Sequence, residues 1–382
     1  MEKYKRIVGT FGCVILLLST FLPVHAAQGN GMPTEGAAER IAAVNKLITD
    51  YQEYEERFAS IEIVNDITAN RYNIIEEQIY PVVMESFSEE EISFLAAFDR
   101  DYHRLAVFLA DAEGNILYKT NQLETNYRAR GQMKQPTRDL AAVAFVDMDK
   151  DGLTDIVLLT RCVNETGEYA GKAYKVGDVL FQTKGDFYRD WRVSDKINRF
   201  DMNKSAGCIV SYVRDGNSAE FLYTATTLDE LLENGFSIIQ ELHYTRSFEK
   251  LGRLQVVPGV FHLSSYDFFM IYLINEQGEI VWSLQPMGDY DSLYSPRGIA
   301  CRDVDGDGMK DLVVLGRYSY EGADGVPQVE SSCAIYYQRT GGFDVDMEFA
   351  EYYQCTDGDT MEALVQKIRE YWGWQTEELA AK

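Results

Sequence analysis

Asp303-Val-Asp-Gly-Asp-Gly-Met-Lys-Asp311 runs straight into Leu312-Val-Val-Leu315, and Asp147-Met-Asp-Lys-Asp-Gly-Leu-Thr-Asp155 runs into Ile156-Val-Leu-Leu159. Both stretches have the form D-x-D-x-D-G-x-x-D, and each leads into an apolar run. Carboxylates on alternating positions of a turn can converge on one hard cation, and calcium takes six to eight oxygens. Asp147, Asp149 and Asp151 supply that alternation in the first stretch, and Asp303, Asp305 and Asp307 in the second. Gly152 and Gly308 allow the positive-φ turn that carries the chain around an ion. The carbonyls of Leu153 and Met309 come next, and Asp155 and Asp311 close the shell. Four carboxylates held this close repel one another unless a cation lies between them. The pattern therefore predicts two calcium sites.

The residues after each loop decide its class. An EF-hand carries a bidentate Glu at its twelfth position and continues into a helix. Here the twelfth positions are Leu158 and Val314, inside apolar runs suited to buried strands. A helix-forming EF-hand or dockerin loop is disfavoured, and each loop is expected to lead into a β-strand. Solvated acidic turns are the bland alternative, since Asp and Gly are ordinary turn residues.

The context of the loops is repeated too. Phe108-Leu-Ala-Asp-Ala-Glu-Gly-Asn-Ile-Leu117 matches Tyr272-Leu-Ile-Asn-Glu-Gln-Gly-Glu-Ile-Val281. The loop segments 142–159 and 298–315 match next, and Asp178-Val-Leu-Phe-Gln-Thr-Lys-Gly-Asp-Phe187 then matches Ala334-Ile-Tyr-Tyr-Gln-Arg-Thr-Gly-Gly-Phe343. The order in each half is hairpin, acidic loop, strands, helix. Such self-similarity marks a repeat architecture. Helices are predicted where Thr227-x-x-Glu230 caps Leu228, Leu231 and Leu232, and where Leu364, Val365, Ile368 and Tyr371 share a face. Cys208, Cys301 and Cys333 fall in strand-like runs, as does Glu220-Phe-Leu-Tyr-Thr224.

The second loop with its strand, Asp303–Leu315, resembles the calcium loop of FG-GAP and VCBS-type repeats, as in integrin alpha-subunit propellers. The resemblance implies Asp303, Asp305, Asp307, Met309 (by its carbonyl) and Asp311 as ligands, and equally Asp147, Asp149, Asp151, Leu153 and Asp155. It covers roughly 35–40 residues in each of two places, in a tandem arrangement also similar to exported bacterial VCBS-repeat proteins. Only two loops are visible, and helical insertions depart from the pattern, so closure into a full ring stays open. Periods of ~40–50 residues per blade would give about six units, whereas the strand-like runs count to four or five.

The N-terminus reads as a secretory signal: basic Lys3, Lys5 and Arg6, an apolar stretch from Ile7 to Leu22, Pro23, then Val24-His-Ala26. Residues 1–26 are assigned to it, with an uncleaved anchor as the alternative. Residues 27–35 form a flexible leader, and 36–102 a helical segment. That segment is read from Ile41, Val44, Ile48, Tyr51 and Phe58, from Ile74, Ile75, Ile79, Val82 and Val83, and from a capping box at Ser88 and Glu91. Repeat halves come next at 103–235 and 236–376, then a tail at 377–382. No other segment is apolar enough to span a bilayer.

The formal charge is -25, and removal of residues 1–26 takes it to about -27. Such a field repels phosphate backbones, arguing against nucleic acid, and attracts cations. Without Cys13, five cysteines remain, an odd number; they read as buried small side chains rather than a disulfide framework, and there is no C-x-x-C. His103, His243 and His262 show no ligand spacing, and no nucleophile elbow or phosphate loop occurs. The aromatic clusters Tyr318-Ser-Tyr320, Tyr352-Tyr353 and Tyr371–Trp374 suit inter-strand packing, or stacking on sugars.

The sequence thus predicts a mainly β protein, propeller-like tandem β-repeats behind a helical N-terminal segment, exported to the cell surface or beyond. The expected role is a non-enzymatic binding module with two structural calcium ions and an unknown protein or glycan ligand. The alternatives are an exported carbohydrate-active enzyme or lectin, and an extracytoplasmic sensor component.

Overall fold

The computed structural model describes residues 35–126, 134–164, 173–321 and 326–374. The expected signal, the leader up to residue 34 and the whole of the tail lie outside these residues. The chain divides into two units, Met1–Ser60 and Ile61–Lys382. In the first, the described part is one helix, α1 (Glu35–Ala59), where the apolar spacing predicts it. No helix among the described residues is long and apolar enough to cross a membrane.

The second unit is built mainly from strands in four antiparallel sheets. It opens with a short helix, α2 (Val64–Ala69), and a five-stranded sheet of β1 (Tyr72–Ile74), β2 (Tyr80–Val82), β3 (Ile92–Asp99), β4 (Leu105–Ala110) and β5 (Ile116–Thr120). The order is β1-β3-β4-β5, with β2 also on β3. A four-stranded sheet comes next: β6 (Lys134–Val146), β7 (Asp155–Asn164), β8 (Ala173–Thr183) and β9 (Asp186–Tyr188). Helices α3 (Trp191–Arg199), α4 (Ala206–Val213), α5 (Phe221–Thr224) and α6 (Leu228–Glu233) separate it from the second half. The same two sheets then recur. β10 (Ser237–Ile238), β11 (Tyr244–Phe248), β12 (Gly252–Leu263), β13 (Tyr266–Ile274) and β14 (Ile280–Leu284) form the third sheet. β15 (Ser292–Arg302), β16 (Asp311–Glu321), β17 (Pro327–Arg339) and β18 (Gly342–Val345) form the fourth, ahead of α7 (Phe349–Tyr352) and α8 (Met361–Tyr371).

The duplication reaches single hydrogen bonds. Val64 N–H donates to Gly114 O and Leu228 N–H to Gly278 O; Ile116 N–H donates to Glu62 O and Ile280 N–H to Thr226 O. The β4/β5 register slips at Leu109/Ala110, and β13/β14 at Leu273/Ile274. The repeat therefore begins before residue 64, further back than the sequence matches reach.

Residues 72–99 form strands, not the expected helices. The strands are Tyr72–Ile74, Tyr80–Val82 and Ile92–Asp99. β3 is buried at seven of its eight positions, pairs on both edges, and so carries a continuous apolar run with no period to read. Ser88 Oγ accepts the Glu90 N–H in a turn instead of capping a helix. Two further elements reverse. Cys208 lies in α4, whose Ser205 cap accepts the Cys208 N–H, and Phe221–Thr224 is helical. Both segments are short and packed on more than one side, so tertiary contacts override local propensity. The Thr227 cap, α8 and the β4/β5 hairpin match expectation.

Each half has one core between its two sheets. Phe94, Val107 and Leu109 meet Ile156, Leu158 and Leu180 in the first half; Phe269, Ile271 and Leu273 meet Leu312, Val314 and Tyr336 in the second. Helices cover the outer faces. Ile197 of α3 and Ile209 of α4 pack on Val157, Leu159 and Val179, while Leu364, Val365 and Ile368 of α8 pack on Val313, Leu315 and Ile335. Cys208 and Leu222 belong to a further cluster with β12 and β13, so the α3–α6 region lies between the halves.

Candidate metal centres

Each acidic loop joins the first two strands of a four-stranded sheet: 147–155 links β6 to β7, and 303–311 links β15 to β16. Both loops lead into strands, as the apolar runs predict. Two positive-φ residues bend each one: Lys150 (φ 63) and Gly152 (φ 90) in the first, Gly306 (φ 86) and Gly308 (φ 83) in the second. Glycine is at ease there, whereas Lys150 adopts a conformation disfavoured for a side chain with a Cβ.

The carboxylates first organise their own loop. Asp147 accepts from Asp151 N–H (3.1 Å) and Gly152 N–H (3.0 Å), and Asp151 accepts from Leu153 N–H (2.8 Å). In the second loop Asp303 accepts from Gly306 N–H (2.8 Å), at the place of Lys150 rather than of Asp151, and from Gly308 N–H (3.0 Å), while Asp307 accepts from Met309 N–H (2.8 Å). Asp149 and Asp305 each accept a longer bond, at 3.3 Å, from Asp151 and Asp307 respectively.

Carboxylate oxygens of Asp147, Asp149 and Asp151 lie within 4.8 Å of one another, as do those of Asp303, Asp305 and Asp311. Of the residues expected to share each ion, Asp155 and Asp307 fall outside these groupings. The two oxygens of Asp155 accept Met148 N–H (2.7 Å) and Gln182 N–H (2.7 Å). Asp311 accepts Val304 N–H and Gln338 N–H (both 2.9 Å) and still faces its loop. Burial pushes Asp155 up to about 6 and Asp311 up to about 7, against the pull of those N–H bonds. Desolvation, with neighbouring carboxylates, also raises Asp149 and Asp307.

Behind each loop stands a clamp that the sequence motifs do not announce. Gln182 is 1% exposed; its amide nitrogen donates to Thr154 O (2.6 Å) and Glu85 (3.3 Å), and its amide oxygen accepts from Ser86 N–H (2.8 Å). Glu85 in turn accepts Thr154 N–H (2.9 Å). In the second half Gln338 donates to Lys310 O and Glu249 (both 3.0 Å) and accepts Lys250 N–H (2.9 Å), while Glu249 accepts Lys310 N–H (2.8 Å). Both glutamines stand at matching places in the repeated strands, a usable signal. Glu85 and Glu249 were hidden because the stretch around Glu85 reads as helix.

No family model, curated protein or solved structure matches the chain.

The two loops differ in one respect. Arg339 Nη1 lies 2.9 Å from Asp305 Oδ2 and 3.0 Å from Asp307 Oδ2. Thr183 takes the matching place in the first half, where it bonds Asp186 O. A guanidinium therefore already answers part of the negative charge at the second loop. Arg369 of α8 also donates to the Asp303 carbonyl (3.0 and 2.8 Å), tying that helix to the loop. His243 and His262 lie away from both loops, against Gln255 (3.2 Å) and Asp267 (2.9 Å).

Proposed function

We propose that this chain is an exported calcium-binding β-repeat protein that acts as a non-enzymatic binding or surface-interaction module, with its four sheets standing as propeller-like blades. The reading rests on the duplication of the acidic loop, with three carboxylates grouped in each copy, and of its Glu–Gln clamp, whose hydrogen bonds match one for one in both halves. An ordinary solvated turn needs no such scaffold.

The donor set fits a hard cation. It consists of carboxylate and carbonyl oxygens, without imidazole or thiolate, on loops open enough to leave places for water. Asp147, Asp149 and Asp151 with the Leu153 carbonyl would hold one ion; Asp303, Asp305 and Asp311 with the Met309 carbonyl would hold the other. Asp155 and Asp307 stand beside them, one bound to backbone and one shared with Arg339. The ions neutralise charge and hold strand ends together, so binding energy becomes folding energy. The module would present loops of a rigid scaffold to a protein or glycan ligand.

The test is calcium titration by calorimetry with thermal unfolding in calcium and in chelator. Two ions per chain are expected, with a melting temperature that falls on chelation and recovers on calcium addition. At a hundredfold excess over Kd, linkage gives about 2.7 kcal/mol per site. Identical melting curves in both conditions would remove the calcium reading. A glycan array and a polysaccharide hydrolysis assay test the rest: binding without turnover supports a binding module, and turnover abolished by one carboxylate change refutes it.

A further inference from the structure

Cys333 lies on β17, opposite Leu315 of β16, and Cys355 in the connection between α7 and α8. Both side chains pack on the same apolar cluster, around Phe349, Leu364 and Ile368, and both are partly exposed. Ser331, two residues before Cys333 on β17, donates its hydroxyl to Asp357 Oδ1 (2.6 Å), two residues after Cys355, so strand and connection lie side by side at the two thiols. Their surroundings differ. Arg297 enters the Cys355 connection and donates to the carbonyls of Thr356 (3.3 Å), Asp357 (3.0 Å) and Asp359 (2.8 Å). Lys367 reaches the same connection through Asp359 at 2.9 Å.

We propose that Cys333 and Cys355 are a disulfide-forming pair, with Cys355 the attacking thiol. Contact with Cys333 draws the Cys355 thiol below its usual range, helped by Lys367 and Arg297 and opposed by burial and Asp359. The Cys333 thiol is held up by the same contact and by burial. The oxidant is a disulfide of low molecular weight or of a thiol oxidase. The Cys355 thiolate attacks one sulfur of that disulfide, forms a mixed disulfide and releases the other half as a thiolate. Cys333 then attacks the Cys355 sulfur, gives its proton to the departing thiolate, and closes the bond. One external disulfide becomes two thiols, and two protein thiols become one disulfide.

The other described thiols are placed differently. Cys162 and Cys208 are buried, and Cys301, beside the Tyr244 hydroxyl at 3.3 Å, is pushed up to about 11, mainly by burial. Closure would tether the α7–α8 connection to β17, and with it the start of the helix that holds Asp303.

The experiment treats the native full chain with oxidised glutathione, alkylates the remaining thiols and maps the peptides by mass spectrometry. The expected product is one linked peptide pair containing Cys333 and Cys355. Its melting temperature should rise by about 3–6 °C and fall back on reduction. Cys333→Ser should stop at a glutathione adduct on Cys355, and Cys355→Ser should give neither adduct nor cross-link at these positions. Because each variant's folding is checked by circular dichroism and the wild-type map is independent of both, a folding failure cannot hide the answer. Unmodified Cys333 and Cys355 in the wild type, a stable adduct without closure, or cross-links through other cysteines would each overturn the assignment.

Discussion

Replacing Gln182 with Leu tests whether the clamp behind the first loop holds the repeat together. The side chain is buried, and the change removes both its hydrogen-bonding atoms at nearly constant volume. Ser86 N–H loses an acceptor at 2.8 Å, and Thr154 O loses a donor at 2.6 Å. A buried polar group left without a partner costs about 1–3 kcal/mol. Ser86 Oγ and Glu85 can turn to water, and the new methyl groups recover some apolar burial. The expected net loss is about 2–4 kcal/mol, the two backbone groups carrying most of it. For a unit of this size, that lowers the melting temperature by about 3–6 °C. The assay is urea denaturation by circular dichroism, in calcium and in chelator, with Gln366→Leu on the exposed face of α8 as the control. Gln338→Leu should cost a similar amount, because it orphans Lys250 N–H and Lys310 O in the same way. A loss below about 0.5 kcal/mol for both clamp variants would refute the reasoning.

Lys150→Gly should stabilise the protein by about 0.5–1 kcal/mol in the same assay, since it relieves a left-handed non-glycine conformation and copies Gly306. Lys175→Met should cost about 3 kcal/mol: Lys175 lies 2.9 Å from the buried carboxylate of Asp291, and its loss leaves that charge unpaired in a contact between the two halves. Arg339→Gln should tighten calcium binding at the second loop roughly threefold to tenfold by calorimetry, because a competing cation at Asp305 and Asp307 is gone. Asp359 is held below the usual carboxylate range, first by the Tyr353 hydroxyl and then by Lys367. Its contribution is present at neutral pH and is lost as pH falls below the ordinary carboxylate value. Asp359→Asn should therefore lower the urea midpoint at pH 7, and the gap from wild type should narrow under acid.

Legibility in the sequence varies by element. The acidic loops, the strands after them, the β4/β5 hairpin and the Thr227 cap were legible because their signals lie within a dozen residues of chain. Asp-x-Asp alternation, a glycine where the backbone must turn, and a hydroxyl three residues before a Glu act locally. The first carboxylate grouping could be named from spacing alone. Whether the last carboxylate of the motif joins was not readable, since Asp155 and Asp311 occupy the same place and accept the corresponding pair of backbone N–H groups, yet only Asp311 groups with the carboxylates of its loop.

Local chemistry along the chain was enough to make it a mainly β repeat with two acidic turns and a strongly negative charge. Folding was needed to make 72–99 a sheet rather than helices, because short strands buried on two edges carry no period. Packing likewise made Phe221–Thr224 a helix, its Leu222 buried and its carbonyl taken by the Tyr272 hydroxyl at 2.7 Å. It also brought Glu85 to Gln182, and Ser331 of β17 to Asp357 beside Cys355. Those partners are far apart in the chain, and a contact closed by burial and hydrogen bonding across folded sheets leaves no imprint on nearest neighbours.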